Sequence, residues 1–430
     1  MVQENHNIQS DEHTLNYSNI AGGRSEKTLL LISVLLLVAT TGCGTSVGNA
    51  VDSLWSQSSV YAPSGSIEVN FVRAIADAKG NLHMVWRDGV VNQQDPTKNN
   101  TIMNIMYSEK LAGAAWSSPI NITNNVPPAV SYLAMLSADA QGNLHVIIMQ
   151  GNSRSSAVDL YYLTKSAGGS WSKAVNISNT PGNSNGSVIA SDAHGNLHVA
   201  WIDQVSREPL VYESYYAVKT VGGSWSMPLG IPDGPRYSEQ PSIITDASGN
   251  VHLSWYINSG NPSTSEIMYA IKPVDGSWSA PENISNTSGM SSFPSISIDA
   301  RNNLHLLWED DMSGKYEIVY VTKSPNGSWS KPVAISQGSG KALEAAGVAD
   351  KQGKLHAVWR EEVSGNMEIM YAIKRAGRSW SQPVNVSNTS GASDSPSIAI
   401  DAYGNPHIVW ADMTSGKRQI MYAAKSAGGS

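Results

Sequence analysis

The sequence predicts an all-β fold: a seven-bladed β-propeller of four-stranded antiparallel blades, its ring closed by an N-terminal strand that completes the last blade. Three observations predict it. A unit of about 50 residues recurs in seven copies, apolar residues alternate with period two inside each copy, and one piece of the unit is missing at the end of the chain and present at its start.

Composition agrees. Hydrophobic residues make up 41% of the 430, enough for a core, while 37 Gly and 20 Pro spread along the chain call for many turns and few long helices. A single cysteine excludes an internal disulfide framework and a Cys-based zinc site. With 35 acidic against 28 basic residues the net charge is -7, which argues against a nucleic-acid partner. There are 13 Trp and 17 Tyr but only 2 Phe, so aromatic identity is set by position.

The first element reads as an export signal. Arg24 and Lys27 precede an apolar run from Leu29 to Ala39, too short for a bilayer span, and Thr40-Thr41-Gly42-Cys43 follows. This arrangement resembles a bacterial lipoprotein signal, which implies a membrane anchor through a lipid on Cys43 and an extracytoplasmic location; a plain secretory signal is the alternative. Residues 1–43 are then polar lead and signal, 44–50 a tether, and 51–430 the propeller.

Each copy carries three blocks. The first, Asp-Ala-x-Gly-Asn-Leu-His-x-x-Trp with small changes, places histidines at 83, 145, 198, 252, 305, 356 and 407. Strands are expected on both sides of its Gly-Asn turn, as in Pro396 to Ile400 and Leu304 to Trp308, and the Asp is expected to accept turn N–H groups. The second block, Ile-Met-Tyr-x-x-Lys, gives a third strand such as Glu317 to Val321. The third, Ser-Trp-Ser-x-Pro-x-Asn-Ile-Ser, begins at Trp116, Trp171, Trp225, Trp278, Trp329 and Trp380 and is absent after the seventh copy. Leu54-Trp55-Ser56-Gln57 matches its start and lies before the first copy, so it supplies the missing outer strand.

Recurrence also says what the repeated residues do. Equivalent histidines on seven separate blades cannot converge on one ion, so they are structural, and neither a metal nor a cofactor is expected. Trp and Tyr fill layers between blades, and the lysine stems lie across blade faces. The Asn-x-Ser strings, Asn176-Ile177-Ser178 and Asn385-Val386-Ser387 among them, belong to the outer-strand repeat.

The combination Pro-Ser-Ile-x-x-Asp-x-x-Gly-Asn-x-His-x-x-Trp, Ile-Met-Tyr-x-x-Lys and Gly-Ser-Trp-Ser-x-Pro-x-Asn-Ile-Ser resembles the bacterial sialidase-like propellers with BNR-type repeats, over nearly all of 51–430. The Asp box of that superfamily is altered here: the turns read Ser166-Ala167-Gly168-Gly169-Ser170-Trp171 or Asp275-Gly276-Ser277-Trp278. The resemblance implies, for a true sialidase, six blades, three arginines around the substrate carboxylate, a Tyr–Glu nucleophile pair and an acidic acid/base. No residue of this chain is assigned to those roles by motif, the nearest string to the family's Phe-Arg-Ile-Pro being Phe71-Val72-Arg73-Ala74.

Ligands are expected where the copies differ, at the face bearing the loops between second and third strands and those leading into the next blade. Arg73 stands where later copies have Ser242, Ser295 and Ser397, and facing the channel it would hold an anion, its alternative being an inter-blade salt bridge. Arg87 and Asp88 come from the longest loop, and further candidates are Glu309, Asp310 and Glu317 in the fifth copy and Arg360, Glu361 and Glu368 in the sixth. Paired carboxylates suit glycoside hydrolysis. Acids nevertheless recur two residues after the Trp, at Asp88, Asp203, Asp310, Glu361 and Asp412, which points to a hairpin salt bridge or a solvated rim. The reading that results is a monomeric, lipid-anchored, non-enzymatic binding or scaffold module for a glycan or an envelope protein, with a sialidase-like glycoside hydrolase as the alternative.

Overall fold

The computed structural model describes residues 55–61, 66–91, 101–124, 129–152, 155–180, 182–207, 210–231, 237–258 and 264–426. The segment read from sequence as signal and tether, Cys43 included, lies outside them.

The described strands form seven four-stranded sheets, each running first to outer strand in chain order except the last. Blade 1 consists of Ser66–Ala76, Leu82–Val91, Thr101–Lys110 and Ile120–Asn121, and blade 6 of Ala342–Ala349, Leu355–Val363, Asn366–Lys374 and Val384–Asn385. Blade 7 has Ser393–Ile400, Pro406–Asp412 and Gln419–Ala424, and its outer strand is Ser56–Tyr61, antiparallel to the third. The composite blade expected from the displaced Trp55 block is present.

Why these residues close a ring is visible in the side chains between blades. The second-strand tryptophans Trp86, Trp201, Trp255, Trp308, Trp359 and Trp410 are all at most 1% exposed. Each third-strand tyrosine meets edge to face the outer-block tryptophan of an adjacent blade: Tyr107 with Trp171, Tyr162 with Trp225, Tyr216 with Trp278, Tyr269 with Trp329, and Tyr320 with Trp380. Tyr371 with Trp55 and Tyr422 with Trp116 complete the cycle. Such contacts add about 1 kcal/mol each beyond the area they bury.

The same tyrosines fix the histidines. In all seven blades the tyrosine hydroxyl lies 2.6–2.9 Å from the histidine Nδ1. On the other side of the ring Nε2 lies 3.2–3.6 Å from the repeated Asp. The second oxygen of that Asp accepts the N–H groups two and four residues on, as Asp77 does from Lys79 and Asn81 at 2.9 and 2.8 Å, which stabilises the turn that Gly80 makes at φ 82°. Burial depresses the pKa of His83, His145, His198, His252, His305 and His407, against the raising effect of the Asp partner. They are packed and neutral, each held by its tyrosine at Nδ1, while Nε2 of His252 and His305 only approaches its Asp without a hydrogen bond.

The outer strands of blades 1 to 6 are only two residues long, and hydroxyls extend them. Ser178, Ser285, Ser336 and Ser387 accept the third-strand N–H of Leu160, Ile267, Ile318 and Ile369 at 2.8–3.0 Å. The Asn of Asn-x-Ser accepts the N–H three residues on, as Asn176 does from Asn179 at 3.0 Å. These strings are strand terminators. Lys323 Nζ lies over the rings of Tyr269 and Trp329, and Lys425 Nζ over that of Trp55, at 5.4–5.8 Å.

Candidate functional site

Function is to be sought where seven-fold equivalence breaks, and it breaks at the end of the ring where first strands begin and second strands finish. Register between first and second strand shifts there in every blade. In six blades the shift contains one residue in the left-handed region: Phe71 (φ 54°), Gly186 (54°), Gln240 (46°), Phe293 (51°), Glu344 (56°) and Ser395 (53°). Glycine adopts this conformation without penalty, whereas a side chain such as Phe costs on the order of 1–3 kcal/mol. Phe71 and Phe293 are the only two phenylalanines of the chain, and both are exposed, at 38% and 43%.

Around this strained ring the side chains of blades 4, 5, 6, 7 and 1 form a polar arc. Tyr256 packs on Phe293 with centroids 5.9 Å apart and donates its hydroxyl to Glu239 Oε2 at 2.5 Å. Glu309 Oε1 accepts the Glu344 N–H at 2.5 Å. Glu344 in turn pairs with Arg360 at 3.2 Å and accepts the Ser395 N–H at 2.9 Å. Asp394 pairs with Arg418 at 2.5 Å. Arg87 covers the Phe71 ring at 4.7 Å.

Burial sets the charge states. It pushes the Glu309 carboxyl up to about 8, against the pull of the Glu344 N–H and Arg360, so Glu309 is neutral at pH 7. It also raises Asp394, although Arg418 opposes the shift. The Tyr256 phenol is pushed well up by burial and by Glu239.

Arg73 is half-buried. In blades 4, 5 and 7 the equivalent Ser242, Ser295 and Ser397 accept the N–H of Ile296, Gly347 and Ala74, stapling one first strand to the next at 3.0–3.1 Å. Arg73 replaces that staple. Its Nη1 donates to Val72 O at 2.9 Å, burial depresses its pKa, and the opposing charge is Glu344, two blades round the ring. Its charge is felt by Glu344 from across the ring, and no ion pair within 4.0 Å holds it among the described residues. It is suited to a carboxylate.

The other residues singled out from sequence lie about this face in different roles. Asp88, Asp310 and Glu361 are buried, at 4%, 5% and 2% exposed. Asp310 accepts Trp308 Nε1 and Ser291 Oγ, the latter at the start of the first strand, and Glu361 accepts Trp359 Nε1, so these buried acids are neither rim nor salt bridge. Glu368 accepts Ser387 Oγ and Asn366 Nδ2, and Glu317 pairs with Lys315 at 3.3 Å. Sequence reasoning named Arg73, Arg87, Glu309 and Arg360 in the arc and missed Glu239, Tyr256, Phe293, Glu344, Asp394 and Arg418. The scarcity of Phe was the available signal.

No family model matches the chain, and no curated protein matches it. Among solved structures it is similar to a protein of unknown function from Dyadobacter fermentans, 12% identical with a TM-score of 0.53, over 86% of this chain and 97% of that one. It is also similar to a mutant of the NanB sialidase from Streptococcus pneumoniae, at 12% identity and TM-score 0.47 over 85% of this chain and 70% of that one. A third is the intramolecular trans-sialidase from Ruminococcus gnavus with oseltamivir carboxylate, at 12% and 0.48 over 86% and 97%. The resemblance to sialidase-like propellers read from the repeats is one of fold.

Proposed function

We propose that the chain is an exported, lipid-anchored, monomeric binding module that takes a glycan at the mouth of its channel. The observation that carries this reading is the placement of the only two phenylalanines, both exposed, on strained backbone at equivalent positions of blades 1 and 5. Exposed aromatic rings beside hydrogen-bonding groups suit the two sides of a sugar, its apolar C–H face and its hydroxyls. Arg73 adds a preference for a sugar bearing a carboxylate. A glycan array with the purified protein tests the reading: binding to acidic glycans, lost in Phe293→Ala and Arg73→Ala, is the expected result. Silence across the array sinks it and moves the weight to an envelope protein.

One observation favours a sialidase-like glycoside hydrolase as a second reading. The Tyr256 hydroxyl is bonded to Glu239, and a carboxyl that is neutral at pH 7, Glu309, belongs to the same arc. A phenol with a carboxylate partner and a protonated acid are parts that glycosyl transfer can use. Turnover of a fluorogenic sialoside that disappears in Tyr256→Phe would put this reading first; binding without turnover leaves the module non-enzymatic.

A further inference from the structure

The acid two residues after the buried tryptophan is left incomplete in blade 3. In blade 5, Asp310 Oδ2 accepts Ser291 Oγ at 2.8 Å and Trp308 Nε1 at 3.1 Å, and its Oδ1 accepts the Met312 N–H at 2.9 Å. In blade 7, Asp412 Oδ2 accepts Thr389 and Ser393 hydroxyls at 2.9 and 3.1 Å, and Oδ1 accepts the Thr414 N–H at 2.8 Å. Both second strands stop at the acid, so the turn aims an N–H back at it.

Blade 3 differs in backbone. Its second strand, Leu197–Arg207, runs beyond Asp203 and pairs on with a bulge between Gln204 and Ser206. The returning N–H is thereby lost. Asp203 Oδ2 still accepts Thr180 and Ser184 hydroxyls and lies 3.5 Å from Trp201 Nε1. Oδ1 is buried and has no hydrogen-bond partner, in a residue that is 1% exposed. An unmet buried carboxylate oxygen costs about 1–3 kcal/mol or more. Gly182 passes over it where a Cβ would lie 2.4 Å from Oδ1, so the loop approaches only because it carries no side chain there.

Beside this carboxylate is a cavity of about 280 Å³, lined also by Thr180, Gln204, Ser206 and Tyr215. Tyr215 is stacked on Trp201 at 5.8 Å and 24°, which fixes its ring. What the site lacks is a donor, and what surrounds it is an amide, hydroxyls and an aromatic ring. Among the described residues no group of three or more His, Cys, Asp or Glu could hold a metal ion.

We infer that this blade-3 cavity is a second carbohydrate subsite, separate from the channel mouth, in which a hydroxyl of a neutral sugar completes Asp203 and the ring packs beside Tyr215. Water can fill such a place, but a sugar supplies the donor and the apolar face together.

Saturation-transfer NMR on the full chain with methyl glycosides of glucose, galactose, mannose and N-acetylglucosamine tests it. The expected result is a signal from at least one of them that persists in Arg73→Ala and Phe293→Ala and is at least tenfold weaker in Asp203→Ala and Tyr215→Ala. Ser206→Phe fills the cavity without touching the buried hydrogen bonds of Asp203, and should abolish the signal even where Asp203→Ala fails to fold. No signal from any glycoside overturns the proposal, leaving a water site. So does a signal that survives Ser206→Phe, or one that disappears in Arg73→Ala, which would place the sugar at the mouth.

Discussion

Trp55 meets Tyr371 edge to face at 4.9 Å and 76°, the same contact that joins every other pair of blades, made here by a residue from the opposite end of the chain. The seam of the ring is therefore chemically ordinary. Trp55→Ala is expected to destabilise the protein by about 3 kcal/mol, the usual cost of truncating a packed aromatic. Denaturant unfolding gives the loss, and hydrogen exchange should quicken first in Gln419–Ala424, the strand paired to Ser56–Tyr61. Exchange that quickens evenly round the ring would contradict a localised seam.

Strain at Phe293 can be removed without touching the core. Phe293→Gly should raise stability by roughly 1 kcal/mol, because the φ of 51° suits glycine. The same change should weaken glycan binding at least tenfold. A variant both more stable and less able to bind is the signature of strain kept for function; a loss of stability would mean the ring of Phe293 contributes more by packing on Tyr256 than its backbone costs.

Arg73→Ser restores the residue type that staples first strands in blades 4, 5 and 7. Thermal stability should hold or rise, while affinity for carboxylate-bearing glycans falls at least tenfold. Unchanged affinity would remove Arg73 from the site.

Glu309 gives a pH dependence of definite sign. A carboxyl held at about 8 in the fold and near 4.5 in the unfolded chain contributes stability that is complete below about 4.5 and lost as pH rises through 8. Glu309→Gln keeps an oxygen for the Glu344 N–H and removes the titration. Its melting temperature should therefore exceed that of the parent by a margin that grows from pH 5 to pH 8. A constant margin would show that Glu309 does not titrate in this range.

Six histidines act in the other direction. Their pKa values are depressed in the fold, so the unfolded chain takes up protons first as pH falls below about 6.5. Their stabilisation is present above that value and is lost on acidification. With six such groups against Glu309, the melting temperature should drop between pH 7 and pH 5, and a differential scanning series reads it directly.

Most of the ring was legible because its parts repeat. The His–Tyr–Asp clusters, the Tyr–Trp cycle and the closing strand all rest on residues that recur at fixed offsets, and Trp55 betrayed the seam by standing outside the count. The mouth was not legible for the same reason reversed. Its left-handed positions hold Phe, Gly, Gln, Phe, Glu and Ser, which share a backbone angle and no chemistry, and apolar periodicity carries no information about φ. Asp310 and Asp412 looked like rim charges because the hydroxyls that bury them, on Ser291 at the start of the first strand and on Thr389 in the loop before it, stand about 20 residues earlier in sequence.

Closing the ring through Ser56–Tyr61 and Gln419–Ala424 also sets the order of assembly. Each blade pairs its strands locally and can form early, but the contacts that join blade 7 to its outer strand span almost the whole chain, and such contacts form late. Stretching the loop costs little extra free energy, since closure entropy grows only with the logarithm of length. The penalty is one of time: until the two termini meet, an open row of six paired blades and an unfinished seventh presents an unpaired strand edge to its surroundings, the species most prone to join with another copy of itself.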